Sequence, residues 1–190
     1  MIDLLKIKNF FINFGAVLKL LPALLSMRIE KKIAKILIRN GLTLSIAESC
    51  TGGLISSRMT DVSGSSIFVK QNFITYSNEA KEEYLGVLRE SIENFGVVSK
   101  VVASEMSNGV FKNTNCDIAL ATTGIAGPTG GTKNKPVGLI FISVSNETTT
   151  KTIRFNANKF LSRRIIKFIF SQVALQYLYK FLKENYIKEI

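Results

Sequence analysis

At 190 residues with 46% hydrophobic content, the chain is long enough to bury one core and short for two full domains. Its formal net charge of +11 comes from 25 basic and 14 acidic residues, but these are scattered, so small anionic ligands fit the charge as well as a polyanion does, and nucleic acid is not the expected partner. Histidine is absent, which excludes a Ser-His-Asp triad, and Cys50 and Cys116 lie far apart outside any Cys-x-x-Cys or Cys/His spacing, which argues against a disulfide scaffold and a zinc site. A reducing cytoplasm is the expected compartment, and neither metal nor cofactor is expected.

The first segment, Met1 to Ser26, is apolar around Phe10 to Leu18, but Lys19 interrupts it before Leu20 to Leu25. No run reaches the roughly 18 to 20 apolar residues that span a bilayer. Residues 1–26 are therefore expected to be an extension, an amphipathic helix packed on the domain or a stretch ahead of an alternative start at Met27. A membrane-surface contact through residues 1–26 is the less favoured reading. The domain proper is expected over 27–190.

Ile29 to Ile38 has helical apolar spacing, and Asn40-Gly41 offers C-terminal cap chemistry. Leu42 to Ala47 reads as a strand, and Thr51-Gly52-Gly53 opens a second helix through about Thr60, a strand-turn-helix unit. Ile67 to Tyr76 is expected to be a strand, Asn78 to Leu85 a helix, and Ser99 to Asn113 a longer helix that Ser99 could cap. Cys116 to Thr123 reads as a short buried strand. Val137 to Ser145 and Thr149 to Asn156 form a hairpin around Asn146-Glu147, and a last helix runs from about Lys159 to Glu184. Helices alternating with strands, then a hairpin and a closing helix, predict a single-domain α/β fold, a layered α/β/α sandwich with a mixed β-sheet.

Chemistry concentrates between Ala47 and Lys81, where Ser49, Thr51, Ser65, Ser66, Tyr76 and Lys81 surround two glycine turns. A serine hydroxyl needs a base to become a nucleophile, and without imidazole a lysine is the substitute, provided that its amine is partly desolvated. Two loops follow apolar strands and are rich in glycine and small hydroxyl residues: Ala47 to Gly53, with backbone N–H groups at a helix start, and Gly124 to Gly131 after the strand ending at Thr123. Neither matches Walker or Rossmann spacing. Taken singly, each has a structural alternative. Ser49 and Thr51 fit as N-caps, Lys81 as a solvated helix residue and Tyr76 as a core aromatic. Ser66 is a rival nucleophile, Cys50 a thiol near a helix start, and Glu48 a partner for Lys81 or a surface ion-pair residue.

Glu48 to Gly53, Asp61 to Ser66, Thr75 to Lys81, Gly124 to Gly131 and Lys135-Pro136-Val137-Gly138, in this order, resemble the C-terminal domain of the CinA family of competence-damage-inducible proteins, over roughly Arg28 to Lys183. That domain also occurs alone as nicotinamide-nucleotide amidohydrolase. The resemblance implies hydrolysis of the carboxamide of nicotinamide mononucleotide to nicotinic acid mononucleotide and ammonia. It implies Ser49 as nucleophile, Lys81 as its base and Tyr76 as proton relay. Backbone N–H groups converging on the turn at Ser49 are expected to hold the oxyanion. Thr51, Gly52, Gly53, Thr123, Gly124, Gly127 and Arg163 are the expected substrate-binding residues, the substrate a small nucleotide, and the assembly a homo-oligomer. One departure stands out: the Gly-Asp-Arg usual at the start of the family's last helix is Leu161-Ser162-Arg163 here, with Arg164 as the alternative match. It motivates a second expectation, a nucleotide-binding or regulatory protein without turnover.

Overall fold

A computed structural model describes residues 28–187, so the expected N-terminal extension, residues 1–26, lies outside the described residues. Helix α1 (Arg28–Arg39) is amphipathic, with Ile33, Ala34, Ile36 and Leu37 buried between exposed lysines. It ends as its cap residues require: the Asn40 side-chain amide donates to Ile36 O (2.8 Å), and Gly41 turns the chain at φ 63°. Strand β1 (Leu44–Glu48), buried along its whole length, then leads through a tight turn into α2 (Leu54–Thr60).

A 3₁₀ turn (Ser65–Ile67) precedes β2 (Val69–Ile74), which is followed by α3 (Asn78–Leu85), α4 (Arg89–Phe95) and α5 (Lys100–Thr114). Strand β3 (Ile118–Gly124), the hairpin β4 (Leu139–Ser145) and β5 (Thr150–Asn156), and the long α6 (Arg163–Tyr186) complete the fold. The sheet order is β2-β1-β3-β4-β5. Strand β1 pairs in parallel with β2 and β3, while β3–β4 and β4–β5 are antiparallel, so the sheet is mixed.

Alternation along the strands builds two unlike cores. Leu44, Ile46, Ile118, Leu120, Ile140, Ile142 and Val144 point to the face covered by α1, α2 and α6. The opposite face offers small residues, Ala47, Ala119 and Ala121, against Val102, Met106 and Val110 of α5 and Leu85 of α3. Farther along it, hydroxyls replace aliphatics. Ser107 Oγ lies 2.8 Å from Ser143 Oγ and 2.7 Å from Ser145 Oγ, Ser104 Oγ lies 2.7 Å from Thr152 Oγ1, and Asn108 Oδ1 accepts from Ser145 and Thr150. Each hydroxyl of this layer thus has a partner, as burial demands.

Small residues let α5 sit close to its neighbours, and Gly109 shows how close. A Cβ there would fall 1.8 Å from Leu85 O, the carbonyl at the end of α3. Gly109→Ala is therefore expected to push α3 from α5 and to destabilise the protein by about 2–3 kcal/mol, against the gain in helix propensity that alanine brings elsewhere. Urea unfolding checks this; a variant as stable as the parent would show that α3 is free to shift.

Four local expectations shift. The strand expected from Ile67 begins at Val69, because Gly64 (φ 80°) starts the 3₁₀ turn. Helix α2 begins at Leu54, after both glycines have taken positive φ. The last helix begins at Arg163, since Ser162 Oγ caps it by accepting from Ile165 N (3.5 Å). Helix α4 has no counterpart among the expected elements; its start is held by Glu105 of α5, which accepts from Leu88 N (3.1 Å) and Ser91 Oγ (2.5 Å).

Candidate active site

The parallel strands β1, β2 and β3 all end on the same edge, where the chain leaves them at Ser49, Thr75 and Ile125, the position at which open α/β sheets bind ligands. A cavity of about 420 Å³ opens there, and its wall includes Ser49, Tyr76, Lys81, Gly124, Gly127 and Arg163. Residues spread over 115 positions of sequence, from Ser49 to Arg163, thus share one space.

The turn that carries Ser49 is built around Glu48. Its carboxylate, wholly buried, accepts from Gly53 N (3.0 Å), Ile55 N (3.1 Å), Ser56 N (2.7 Å) and Ser56 Oγ (2.6 Å). Both readings of Glu48, as partner of Lys81 and as surface pair, are corrected by this geometry. The expectation of N–H groups converging on Ser49 changes with it: the donors at the start of α2 converge on Glu48, a built-in anion at the positive end of the helix. At the other end of α2, Arg58 donates to Glu30 Oε1 (2.7 Å), Ser171 Oγ (2.8 Å) and Gln172 Oε1 (2.6 Å), tying the helix to α1 and α6.

Lys81 is 1% exposed, so the solvated-helix alternative is excluded. Its ammonium donates to three carbonyl oxygens, Thr75 O (2.8 Å), Ser77 O (3.1 Å) and Tyr76 O (3.3 Å). Burial holds its pKa down to about 8 from 10.5. Its helix starts at Ser77, whose Oγ accepts from Ala80 N (3.1 Å), so the cap and the carbonyl cradle come from the same turn. Cys50 also reaches the cavity wall, but burial pushes its thiol up to about 12, so it is not a thiolate at neutral pH.

Tyr76 is 62% exposed and not a core aromatic. Its hydroxyl accepts from Arg163 Nη2 (2.8 Å), while Arg163 Nη1 donates to Gly127 O (2.7 Å). The guanidinium thereby joins the loop after β2, the glycine loop after β3 and the start of α6. That loop needs its glycines: a Cβ at Gly124 would fall 2.6 Å from Leu139 O and 3.0 Å from Cys50 Sγ, and one at Gly127 (φ 69°) 2.5 Å from Val137 Cγ1.

Four expected binding residues stand elsewhere. Thr51 is buried with its Oγ1 3.1 Å from Thr122 Oγ1, and Thr123 Oγ1 donates to Val97 O (2.8 Å). Gly52 and Gly53 line a second cavity on the far side of the turn. Ser66 is exposed in the 3₁₀ turn and does not reach the wall near Lys81. Two residues not singled out from sequence do line it, Asn78 and Lys135. Lys135 Nζ donates to Phe95 O (2.5 Å), a pairing across 40 positions that no local pattern encodes; its place in the Lys135-Pro136-Val137-Gly138 motif was the available signal.

A family model described as the CinA C-terminal domain matches residues 26–182. The chain belongs to the CinA family. It is similar to the CinA-like proteins of Chlorobium limicola (44% identical over 159 residues, 82% of this chain and 37% of that protein) and Syntrophus aciditrophicus (46% over 156 residues, 81% and 36%). This chain thus spans little more than a third of the length of those curated relatives. Among solved structures it resembles the competence/damage inducible protein CihA of Agrobacterium tumefaciens (TM-score 0.77, 36% identical, covering 82% of this chain and 95% of that one). It also resembles a CinA superfamily protein of Klebsiella pneumoniae (TM-score 0.79, 28% identical, 83% and 98%). The fold is thus that of CinA superfamily structures, a mixed five-stranded sheet in a single domain.

Within this CinA-family chain, the Leu161-Ser162-Arg163 departure has a structural account. Leu161 is buried in the core, and Ser162 fills the helix cap, a position that serine and aspartate both suit. Arg163, not Arg164, makes the bonds to Tyr76 and Gly127. Among the described residues no helix is long and apolar enough to cross a membrane.

Proposed function

We propose that the chain is a nicotinamide-nucleotide amidohydrolase, converting nicotinamide mononucleotide to nicotinic acid mononucleotide and ammonia through a Ser49 acyl-enzyme. The observation that carries this reading is Lys81, a buried lysine with a pKa near 8 on the same cavity wall as a serine at a strand-to-helix turn. Neutral Lys81 takes the proton of Ser49 as Oγ attacks the carboxamide carbon. Protonation gives the amine a third N–H and a positive charge in a site lined by the carbonyls of Thr75, Tyr76 and Ser77, which favour the charged form once it has taken the proton.

With Gly53, Ile55 and Ser56 N–H committed to Glu48, the N–H groups of Cys50 and Thr51, directly after the nucleophile, are the backbone donors proposed for the oxyanion. Collapse of the tetrahedral adduct breaks the C–N bond and expels ammonia, which takes the proton by way of Lys81 with Tyr76 as relay. Water then attacks the ester, again giving its proton to Lys81, and releases the acid and Ser49. Arg163 holds Tyr76 Oη in place for the relay.

A second reading has one observation in its favour: three carbonyls also suit a permanently charged, purely structural Lys81. Ammonia release from nicotinamide mononucleotide separates the two. The purified protein is expected to release it and the Ser49→Ala variant to fall to background, a loss of at least about a thousandfold. Release equal in both would remove Ser49 from the reaction, and binding without release would favour a nucleotide-binding protein.

A further inference from the structure

The second cavity, on the far side of the Ser49 turn, is lined by Gly52, Ser57, Arg163, Arg164, Lys167 and Phe168 among others. Three cations and no carboxylate line it, and one of them, Arg163, lines the first cavity as well. Arg163 is occupied by Tyr76 and Gly127, whereas Arg164 and Lys167 form no ion pair among the described residues. One turn apart on α6, the two project toward the same space. Gly52 keeps that space open: a Cβ there would stand 3.2 Å from Lys167 Nζ, so the bare backbone leaves the ammonium accessible. Phe168 is steadied by Arg58, whose Cζ lies 5.3 Å from its ring centroid.

A planar guanidinium beside a compact ammonium, in a cavity without acidic groups, suits a phosphate monoester. We propose that this cavity is a phosphate subsite, in which Arg164 and Lys167 take the phosphate of the substrate while its carboxamide lies at Ser49. The inference rests on the amidohydrolase reading for the identity of the substrate. It places recognition of the phosphate behind the Gly52-Gly53 turn rather than in the glycine loop Gly124 to Gly131 alone, and so gives Gly52 a place in the site despite its absence from the first cavity.

The test is the double variant Arg164→Ala/Lys167→Ala, with ammonia release measured from nicotinamide mononucleotide and from phosphate-free nicotinamide riboside. The ratio of kcat/KM for the mononucleotide over the riboside is expected to fall at least about tenfold, because charge-assisted bonds to phosphate are lost for one substrate only. A ratio within twofold of the parent overturns the subsite and leaves the hydrolase reading standing. Calorimetric binding of the mononucleotide to Ser49→Ala protein, with and without the double substitution, decides the case in which no ammonia is released. A tenfold or greater loss of affinity then keeps the subsite while the hydrolase reading falls, and unchanged affinity removes the subsite.

Discussion

Lys81→Met is expected to lower ammonia release from nicotinamide mononucleotide by about a thousandfold or more, since the methionine keeps the volume of the side chain and removes the base. The parent should show kcat/KM rising with pH and levelling above about 8, because only the neutral amine accepts the Ser49 proton and burial sets its pKa near that value. At pH 7 about a tenth of the enzyme is then in the active form. Linkage gives the sign of the matching stability effect. The folded pKa of about 8 lies below the unfolded value near 10.5, so the unfolded chain binds more protons between these limits, and this lysine makes stability climb with pH across that window. A Lys81→Met protein that keeps activity within tenfold of the parent, or a parent profile flat from pH 6 to 9, would exclude Lys81 as the base.

Glu48→Ala should be the most damaging single change to the fold near the site. It removes a fully buried carboxylate and leaves the N–H groups of Gly53, Ile55 and Ser56 without their acceptor. Orphaning one buried and two half-buried donors at once, with the loss of the buried carboxylate, costs about 3–5 kcal/mol, a fall of about 10 °C in Tm for a chain of this size. Glu48→Gln should fall between parent and alanine, because one of its two terminal atoms can no longer accept. Thermal unfolding followed by circular dichroism measures both. An alanine variant that melts with the parent would mean that the start of α2 finds other acceptors.

Much of the frame was legible because it rests on local chemistry. Asn40-Gly41 ends α1, Ser99 Oγ accepts from Val102 N (3.2 Å) to start α5, and the hairpin turns where Asn146 does. These are contacts between residues three or four apart, the range that a sequence pattern encodes. Glu48 was misread for the opposite reason. Its partners lie five to eight residues ahead, across a double-glycine turn whose path is set by positive φ at Gly52 and Gly53, so spacing alone does not show that the last side chain of a strand reaches the first amides of the next helix. Helix α4 was missed because its start is anchored by Glu105 from another helix, and its seven residues bury little. The family motifs brought Ser49, Tyr76, Lys81 and Arg163 together before the fold did. They could not say that Tyr76 is exposed and bonded to Arg163, or that Thr51 turns inward to Thr122.

Helices packed by aliphatic side chains alone can roll slightly about their axes at small cost, since dispersion contacts are not directional. Helix α5 has no such freedom, because Ser104, Ser107 and Asn108 key it to the hydroxyls of Ser143, Ser145, Thr150 and Thr152. That fixed angle aims Gly109 at Leu85 O, which closes the helix on which Lys81 stands. The height of the lysine above the sheet is thereby gauged from β4 and β5, through a helix whose polar keys lie well away from the cavity.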